Sequence, residues 1–389
     1  MKLGELFRIG SSKRVLQSQW KTEGVPFYRG REITRLAENG FVDNELFISE
    51  ELYSEYRSKS GVPVTGDIMI TAIGTIGNSY VVREDDRFYF KDASVLWLHR
   101  TTDVSSEFIN YWLKSPLFLE QLDRGNGATV DTLTIQKLQC VEISVPSLAE
   151  QRRIVAILDE AFEGIATAKA NAEKNLQNAR ELFDNALQSL LSGGGIDRTL
   201  RSMADVCDIR SKLVDPREVQ YLDLPHVGAG NIVTKTGTLV DVLTARQEQL
   251  ISGKFLFDES MVLYSKIRPY LMKVVRPDFS GLCSADIYPL SPKAGVIVRD
   301  YLYYLLLSPA FTEYAITGSA RAGMPKVNRE HLFAYEFMLP SIQEQAQIAA
   351  RLDVLAEETQ GLIAVYERKL AALDELKKSL LLQAFSGQL

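Results

Sequence analysis

The chain has 389 residues, 46% hydrophobic and 24% charged, which suits two or three packed domains and excludes a disordered protein. A net charge of −6 excludes a generally basic nucleic-acid binder, so any DNA-facing surface must be a local patch. Three distant cysteines (Cys140, Cys207, Cys283) exclude a disulfide framework, and with no apolar leader and no run near the ~18–20 residues of a membrane span, a soluble cytoplasmic protein is expected.

The first segment, 1–144, reads as mixed α and β. Asp67-Ile-Met-Ile-Thr71 and Asn78-Ser-Tyr-Val-Val82 flank Gly74-Thr-Ile-Gly77, which predicts a strand, a tight turn and a strand. Val95-Leu-Trp-Leu98 predicts a further strand. Residues 105–122 predict an amphipathic helix interrupted at Ser115-Pro116. A glycine loop, Gly125-Asn-Gly-Ala-Thr129, leads to a last strand and then to Pro146. Residues 145–195 read as one long helix, closed by Ser192-Gly-Gly-Gly195 as a stop and a flexible joint. The pattern then begins again in 196–338. Met261-Val-Leu-Tyr264, Ile267-Arg-Pro-Tyr270 and Lys273-Val-Val275 fall at the places of the earlier strands and turn. Residues 299–315 predict a helix interrupted at Ser308-Pro309, and Gly318-Ser-Ala-Arg-Ala-Gly323 is the second glycine loop. A second long helix occupies 339–389.

The helices repeat one another. Val145-Pro-Ser-Leu-Ala-Glu-Gln-Arg-Arg-Ile recurs as Leu339-Pro-Ser-Ile-Gln-Glu-Gln-Ala-Gln-Ile, at an offset of 340 − 146 = 194 residues. Ser147 and Ser341 are the predicted caps, with Glu150 and Glu344 at the capping-box position. About 45 residues at ~1.5 Å rise give rods of roughly 65–70 Å. Apolar positions recur at spacings of three and four. Ile154, Ile157 or Leu158, Ala161, Ile165, Ala168, Ala172, Leu176, Ala179, Leu182, Ala186 and Leu190 form one stripe. Ile348, Leu352, Leu355, Thr359, Leu362, Tyr366, Leu370, Leu373, Leu376 and Leu380 form the other. Packing the stripes together, antiparallel and with the mixed domains at opposite ends, is the simplest way to keep both dry. The expected fold class is α+β: two α/β domains with mixed sheets, separated by two long helices forming an antiparallel coiled coil, with a pseudo-twofold internal repeat.

Two α/β segments, each followed by a repeated Pro-Ser-x-x-Glu-Gln helix, form a specific pattern. On these motifs the chain resembles the specificity (S) subunit of type I DNA restriction–modification systems. Gly66-Asp-Ile-Met-Ile70, its counterpart Ser265-Lys-Ile-Arg-Pro-Tyr270, and the matching helix ends at 187–193 and 381–387 extend the likeness over essentially the whole chain. The resemblance implies target-recognition domains at 1–144 and 196–338, each reading one half of a bipartite site in double-stranded DNA. It implies that the helical segments 145–195 and 339–389 set the spacer and dock two methyltransferase subunits, onto which restriction and translocase subunits assemble. It implies a non-catalytic member of an adenine-N6 methyltransferase/endonuclease complex. No cofactor is then expected on this chain, and S-adenosylmethionine, ATP and Mg are expected on the partners. Half-sites have meaning only at a fixed helical phase of ~10–10.5 bp per turn, and a stiff rod between readers supplies it.

Candidate DNA contacts follow from residue chemistry. Lys13 and Arg14 suit phosphates, and Gln19 suits adenine. Arg29 and Arg31 of Tyr28-Arg-Gly-Arg31 offer guanidiniums for guanine, with Glu32 or Glu38 as the alternative partners. Thr75 and Asn78 sit in the hairpin, and Asn126 and Thr129 in the glycine loop. In the second half the candidates are His226, Asn231, Lys266, Arg268, Tyr270, Ser319, Arg321 and Lys326. His99 and His331 read as structural. Catalytic and phosphate-binding motifs are missing: Asp223-Leu-Pro-His226 is a poor match to an adenine methylase motif, and Ser252-Gly-Lys-Phe255 lacks the spacing of a phosphate loop. The rival readings are a protein-only coiled-coil scaffold, which the acidic charge favours, and a self-contained methyltransferase, which the missing motifs oppose.

Overall fold

The computed structural model describes residues 1–123, 132–193, 198–209, 212–319 and 325–389. They form two compact units: Met1–Ala172 with Arg368–Leu389, and Glu173–Glu367. The division runs through both long helices, Leu148–Ser192 and Ile342–Phe385, so each unit holds one mixed domain and a piece of each helix.

In the first unit, Ile68–Thr71 is buried on every residue and forms an inner strand, as its unbroken apolar run requires. Its antiparallel neighbours are Val95–Arg100 and Ser79–Val81, and Phe7–Gly10 closes the four-stranded sheet. Gly74 (φ 79°) and Gly77 (φ 93°) let the hairpin reverse. A three-stranded sheet of Phe47–Ile48, Val25–Tyr28 and Tyr89–Phe90 lies in the same domain, outside the strands read from sequence. The expected interrupted helix is two helices, Ser106–Leu113 and Pro116–Asp123, with buried Ser115 between them.

The second unit repeats the plan. Val262–Ser265 is the fully buried inner strand, flanked by Val274–Val275 and Ile287–Pro292, with Cys207–Asp208 at the edge. Ile267-Arg-Pro-Tyr270 follows the inner strand as a turn and runs into a short helical turn at Pro269–Leu271. A five-stranded sheet, in the order Leu213–Val214, Lys254–Phe257, Gly281–Cys283, Pro225–Val227 and Leu243–Thr244, has no counterpart in the sequence reading. Arg299–Leu307 and Pro309–Thr317 are the interrupted helix pair.

The start of each long helix is built alike. The Oγ atoms of Ser147 and Ser341 accept from the N–H groups of Glu150 and Glu344, both at 3.3 Å. The glutamates do not complete capping boxes, because Arg153 holds Glu150 (2.7 Å) and Arg198 holds Glu344 (2.8 Å). The motif's glutamine is the buried member. Gln151 donates to the Pro146 carbonyl (2.8 Å) and accepts from the Ser105 N–H (2.9 Å). Gln345 donates to the carbonyls of Pro340 (2.9 Å) and Val296 (3.1 Å) and accepts from the Val298 N–H (2.8 Å). Each glutamine thus ties its long helix to the start of the neighbouring short one.

The helices run antiparallel within each unit. Arg153 reaches the Leu389 carbonyl and Lys169 pairs with Asp374 in the first, while Arg180 pairs with Glu367 and Arg198 with Glu344 in the second. The buried line on the first helix is narrower than the predicted stripe. Leu158, Ile165, Ala172 and Ala179, a seven-residue repeat, are buried, whereas Leu182 is 51% exposed. On the second helix Ile348, Leu352 and Thr359 are buried, while Leu362 and Leu376 are not. The helix ends pack into the domain cores: Ile154, Leu158, Leu381 and Ala384 in the first unit, and Leu187, Ile348 and Leu352 in the second.

Gln345→Ala strands the Val298 N–H and two carbonyls and should lower stability by about 1–3 kcal/mol in a denaturant titration. Glu150→Ala, which removes an exposed pair, should change the midpoint little. Equal effects would contradict the role given to the glutamine.

Candidate nucleic-acid interface

In the first unit the helix Gly30–Asn39 begins at Arg29, whose N–H and guanidinium both bind Glu32. Burial works against the Glu32 carboxylate, but hydrogen bonds from Arg29 and Arg31 outweigh it and hold the carboxyl below its ordinary value. Arg31 also pairs with Glu45 (2.8 Å). Arg29 is therefore a structural clamp, 27% exposed, and Arg31 is the outward member. Asn78 donates to Thr34 (3.2 Å), which fastens the hairpin to this helix. Beside that joint is a cleft of about 520 Å³, lined by Arg29, Arg31, Thr34, Arg35, Thr75 and Lys91 among others. Arg35 and Lys91, both exposed, were not among the sequence candidates. Arg35 was findable, because it follows Arg31 by one helical turn and shares its face.

Lys13 and Arg14 lie on an exposed loop. The Lys13 N–H donates to Tyr89 Oη (2.9 Å), and Arg14, 77% exposed, pairs with Asp92 at 3.4 Å. Gln19 is engaged locally instead: its Oε1 accepts from the Leu16 N–H (2.8 Å) and caps a short turn. Asn126 and Thr129 lie outside the described residues, as does Arg321.

In the second unit, Lys266–Tyr270 and Lys326 come together. Ile267 bridges Lys326, the Val327 N–H donates to the Lys266 carbonyl (2.8 Å) and the Arg268 N–H to the Pro325 carbonyl (2.9 Å). The first unit has the same junction, in Ile73 bridging Thr132 and the Leu133 N–H on the Ala72 carbonyl (2.8 Å). Both bridging residues shift by the repeat offset, 267 − 73 = 194 and 326 − 132 = 194. Lys266 and Lys326 share Asp286 (3.5 and 3.3 Å), and Lys266 lies over the Tyr288 ring. Arg268 is exposed and has no acidic partner among the described residues, and Tyr270 is 52% exposed. Arg268 occupies the place of Gly74 and keeps its left-handed backbone, φ 49° against 79°. A side chain there costs about 1–2 kcal/mol, so an arginine held in it points to a role outside the fold.

Three candidates are corrected by their surroundings. His226 is buried in the Pro225–Val227 strand, with Nδ1 3.0 Å from Glu248. Asn231 accepts from the Gly228 N–H (2.8 Å) and donates to the carbonyls of Val240 and Asp241, so its amide is consumed by its own turn. Ser319 is 3% exposed and donates to the Ile316 carbonyl (2.8 Å). None of the three presents a free polar group to a groove. His99 binds Asp67 and His331 binds the Tyr314 carbonyl, as the structural reading of both expected. Among the described residues no group of His, Cys, Asp or Glu could hold a metal, and no helix is long and apolar enough to cross a membrane.

Two α/β domains, each entering a long helix through Pro-Ser-x-x-Glu-Gln and each carrying the same bridged junction, define a protein built from two copies of one DNA-specificity unit. The model of the type I restriction modification DNA specificity domain matches this chain twice, over residues 1–177 and 197–368. The chain belongs to that family. It is 27% identical over 320 residues to the type I restriction enzyme EcoDI specificity subunit of Escherichia coli, spanning 74% of this chain and 70% of that one. It is 28% identical over 296 residues to the EcoBI specificity subunit of the same organism, spanning 68% and 62%. Among solved structures, a chain from a study of complex assembly and conformational transition in the type I R-M system superposes with TM-score 0.78, at 18% identity and covering 100% of this chain and 97% of that one. The HsdS subunit from Thermoanaerobacter tengcongensis gives TM-score 0.61 at 19% identity, covering 100% and 96%. These two likenesses establish the shared fold.

Burial pushes the His226 imidazole below its ordinary 6.5, against the pull of Glu248. The unfolded chain then takes up the proton first, so stability should be lost as pH falls below about 6.5. His226→Gln should remove that loss in urea titrations at pH 7.5 and 5.5 and leave the DNA target unchanged. A changed target would restore His226 as a reader.

Proposed function

We propose that this chain is the DNA-reading subunit of a type I restriction–modification assembly, with the domains at 1–144 and 196–338 each reading one half of a bipartite site. The observation that carries this reading is the repeated junction, which has cations beside it in both units, from different positions: Lys266, Arg268 and Lys326 in the junction itself in the second, and Arg31, Arg35 and Lys91 in the adjoining cleft in the first. Arg31 and Arg35 serve the first half-site, with Lys13, Arg14 and Lys91 on phosphates. Arg268, Tyr270, Lys266 and Lys326 serve the second. Thr75 completes the set by its place in the hairpin, and Asn126, Thr129 and Arg321 by their residue type in the two glycine-rich stretches of the sequence. Arg29, Gln19 and Asn78 position neighbours.

The long helices set the distance between the half-sites and dock two methyltransferase subunits, to which restriction and translocase subunits join. The chain itself supplies no catalysis. S-adenosylmethionine, ATP and Mg act on the partners, which methylate adenine N6, and the assembly works in the cytoplasm.

Arg268→Gly should leave stability within about 1 kcal/mol, because it relieves the left-handed arginine at some entropic cost. It should weaken DNA binding by about 1–3 kcal/mol and relax one half-site only. Lys91→Ala should weaken all sequences alike and lower the slope of log affinity against log salt by about 1. Binding without salt dependence would favour a protein-only scaffold. Deleting matched seven-residue segments from both helices removes about 10.5 Å of rod and should shorten the tolerated spacer by about 3 bp. An unchanged spacer would refute the ruler.

A further inference from the structure

The second unit contains a closed charge network. Arg276 binds Asp300 (2.9 Å) and Asp353, Tyr304 donates to Asp353 (2.6 Å), and the guanidinium lies 4.7 and 5.4 Å from the ring centres of Tyr303 and Tyr304. Burial opposes the charge, yet the two carboxylates outweigh it and hold the guanidinium above its ordinary value. The first unit holds the matching set, as Val81-Val-Arg83 for Val274-Val-Arg276, Glu107 for Asp300 and Tyr111 for Tyr304, each 193 residues earlier, and Asp159 for Asp353, 194 residues earlier. There the network is open. Tyr111 still donates to Asp159, but Arg83 turns away to the Gly40 carbonyl (3.1 Å), and among the described residues Glu107 binds only the Ser105 hydroxyl.

Strand register explains the difference. Leu263 pairs with Val275, whereas its equivalent Met69 pairs with Tyr80. Arg276 therefore stands at the rung that Val81 occupies in the first unit, and Arg83 lies two residues, about 7 Å, farther along. A valine stands where an arginine would fill the space, and a cleft of about 660 Å³ opens beside Val81, Glu107, Tyr111 and Asp159. Among the described residues neither carboxylate has a cationic partner, although Arg83, Arg100 and Lys114 line the same cleft.

We infer that this cleft receives an arginine side chain of the methyltransferase subunit, which binds Glu107 and Asp159 and stacks on Tyr111 as Arg276 does within its own unit. The inference rests on the proposed docking of that subunit along the long helices. Asp159 belongs to the first long helix, and the hollow next to the cleft continues over Leu148, Arg152, Val155 and Ala156 of that helix, so an occupant would also lie on the rod. A guanidinium suits the site because its planar fork matches two carboxylates and its face matches an aromatic ring.

The test uses the full chain and its methyltransferase subunit. Asp159→Asn and Glu107→Gln should each weaken their association about tenfold or more. Val81→Arg supplies the missing guanidinium from within. It should raise the melting temperature of the chain alone and weaken association by a similar factor. Wild-type association that survives all three changes overturns the inference and leaves the docking reading intact. A wild-type chain that captures no methyltransferase subunit overturns the docking reading, and this inference with it.

Discussion

Two buried side-chain amides, Gln151 and Gln345, fix the geometry on which each reading head depends. A glutamine can donate and accept at once. It therefore satisfies the N–H at the start of a short helix and the proline carbonyl at the start of a long one with a single side chain. A leucine would leave those groups unpaired, and a carboxylate could not donate. Because the short helix packs on the inner sheet and the sheet leads into the bridged junction, the amide ties that junction to the rod. Tyr111 with Asp159, and Tyr304 with Asp353, add a second tie about two turns farther along each long helix.

Around that shared frame the surfaces have diverged. The junction keeps its bridge and its backbone hydrogen bond in both copies, while Thr132 gives way to Lys326 and Gly74 to Arg268. The left-handed backbone at position 74 suits glycine. Its retention under Arg268 shows a fold whose main chain tolerates local strain while the side chain changes. Divergence of this kind lets one architecture read two different half-sites. A slip of two residues in one hairpin likewise leaves Arg276 locked and Arg83 free of its carboxylates, although the sequences around them look the same.

What could be read from sequence was local or repeated. The long helices, their serine caps, the helix pairs broken at Ser115-Pro116 and Ser308-Pro309, and the Ile68–Thr71 hairpin all declare themselves in short windows. Strands of two to four residues such as Leu213–Val214, Val25–Tyr28 and Leu243–Thr244 do not, because their partners lie far away in the chain. Among the candidate contacts, Arg268 and Arg31 are exposed cations, as their residue type leads one to expect. Residue type failed for His226, Asn231 and Ser319, whose polar atoms are buried or consumed by neighbours that only the folded chain supplies. The glutamines were legible as a motif, but their role depends on the N–H groups of Ser105 and Val298, more than forty residues upstream.

The central claim is that one chain carries two separate readers held at a fixed spacing. Mapping methylated adenines across the genome of cells that express this chain with its methyltransferase partner tests it most directly. The account predicts one recurring motif with two specified parts of different sequence, separated by an unspecified gap of constant length. A single contiguous motif, or two parts whose separation varies, would contradict it.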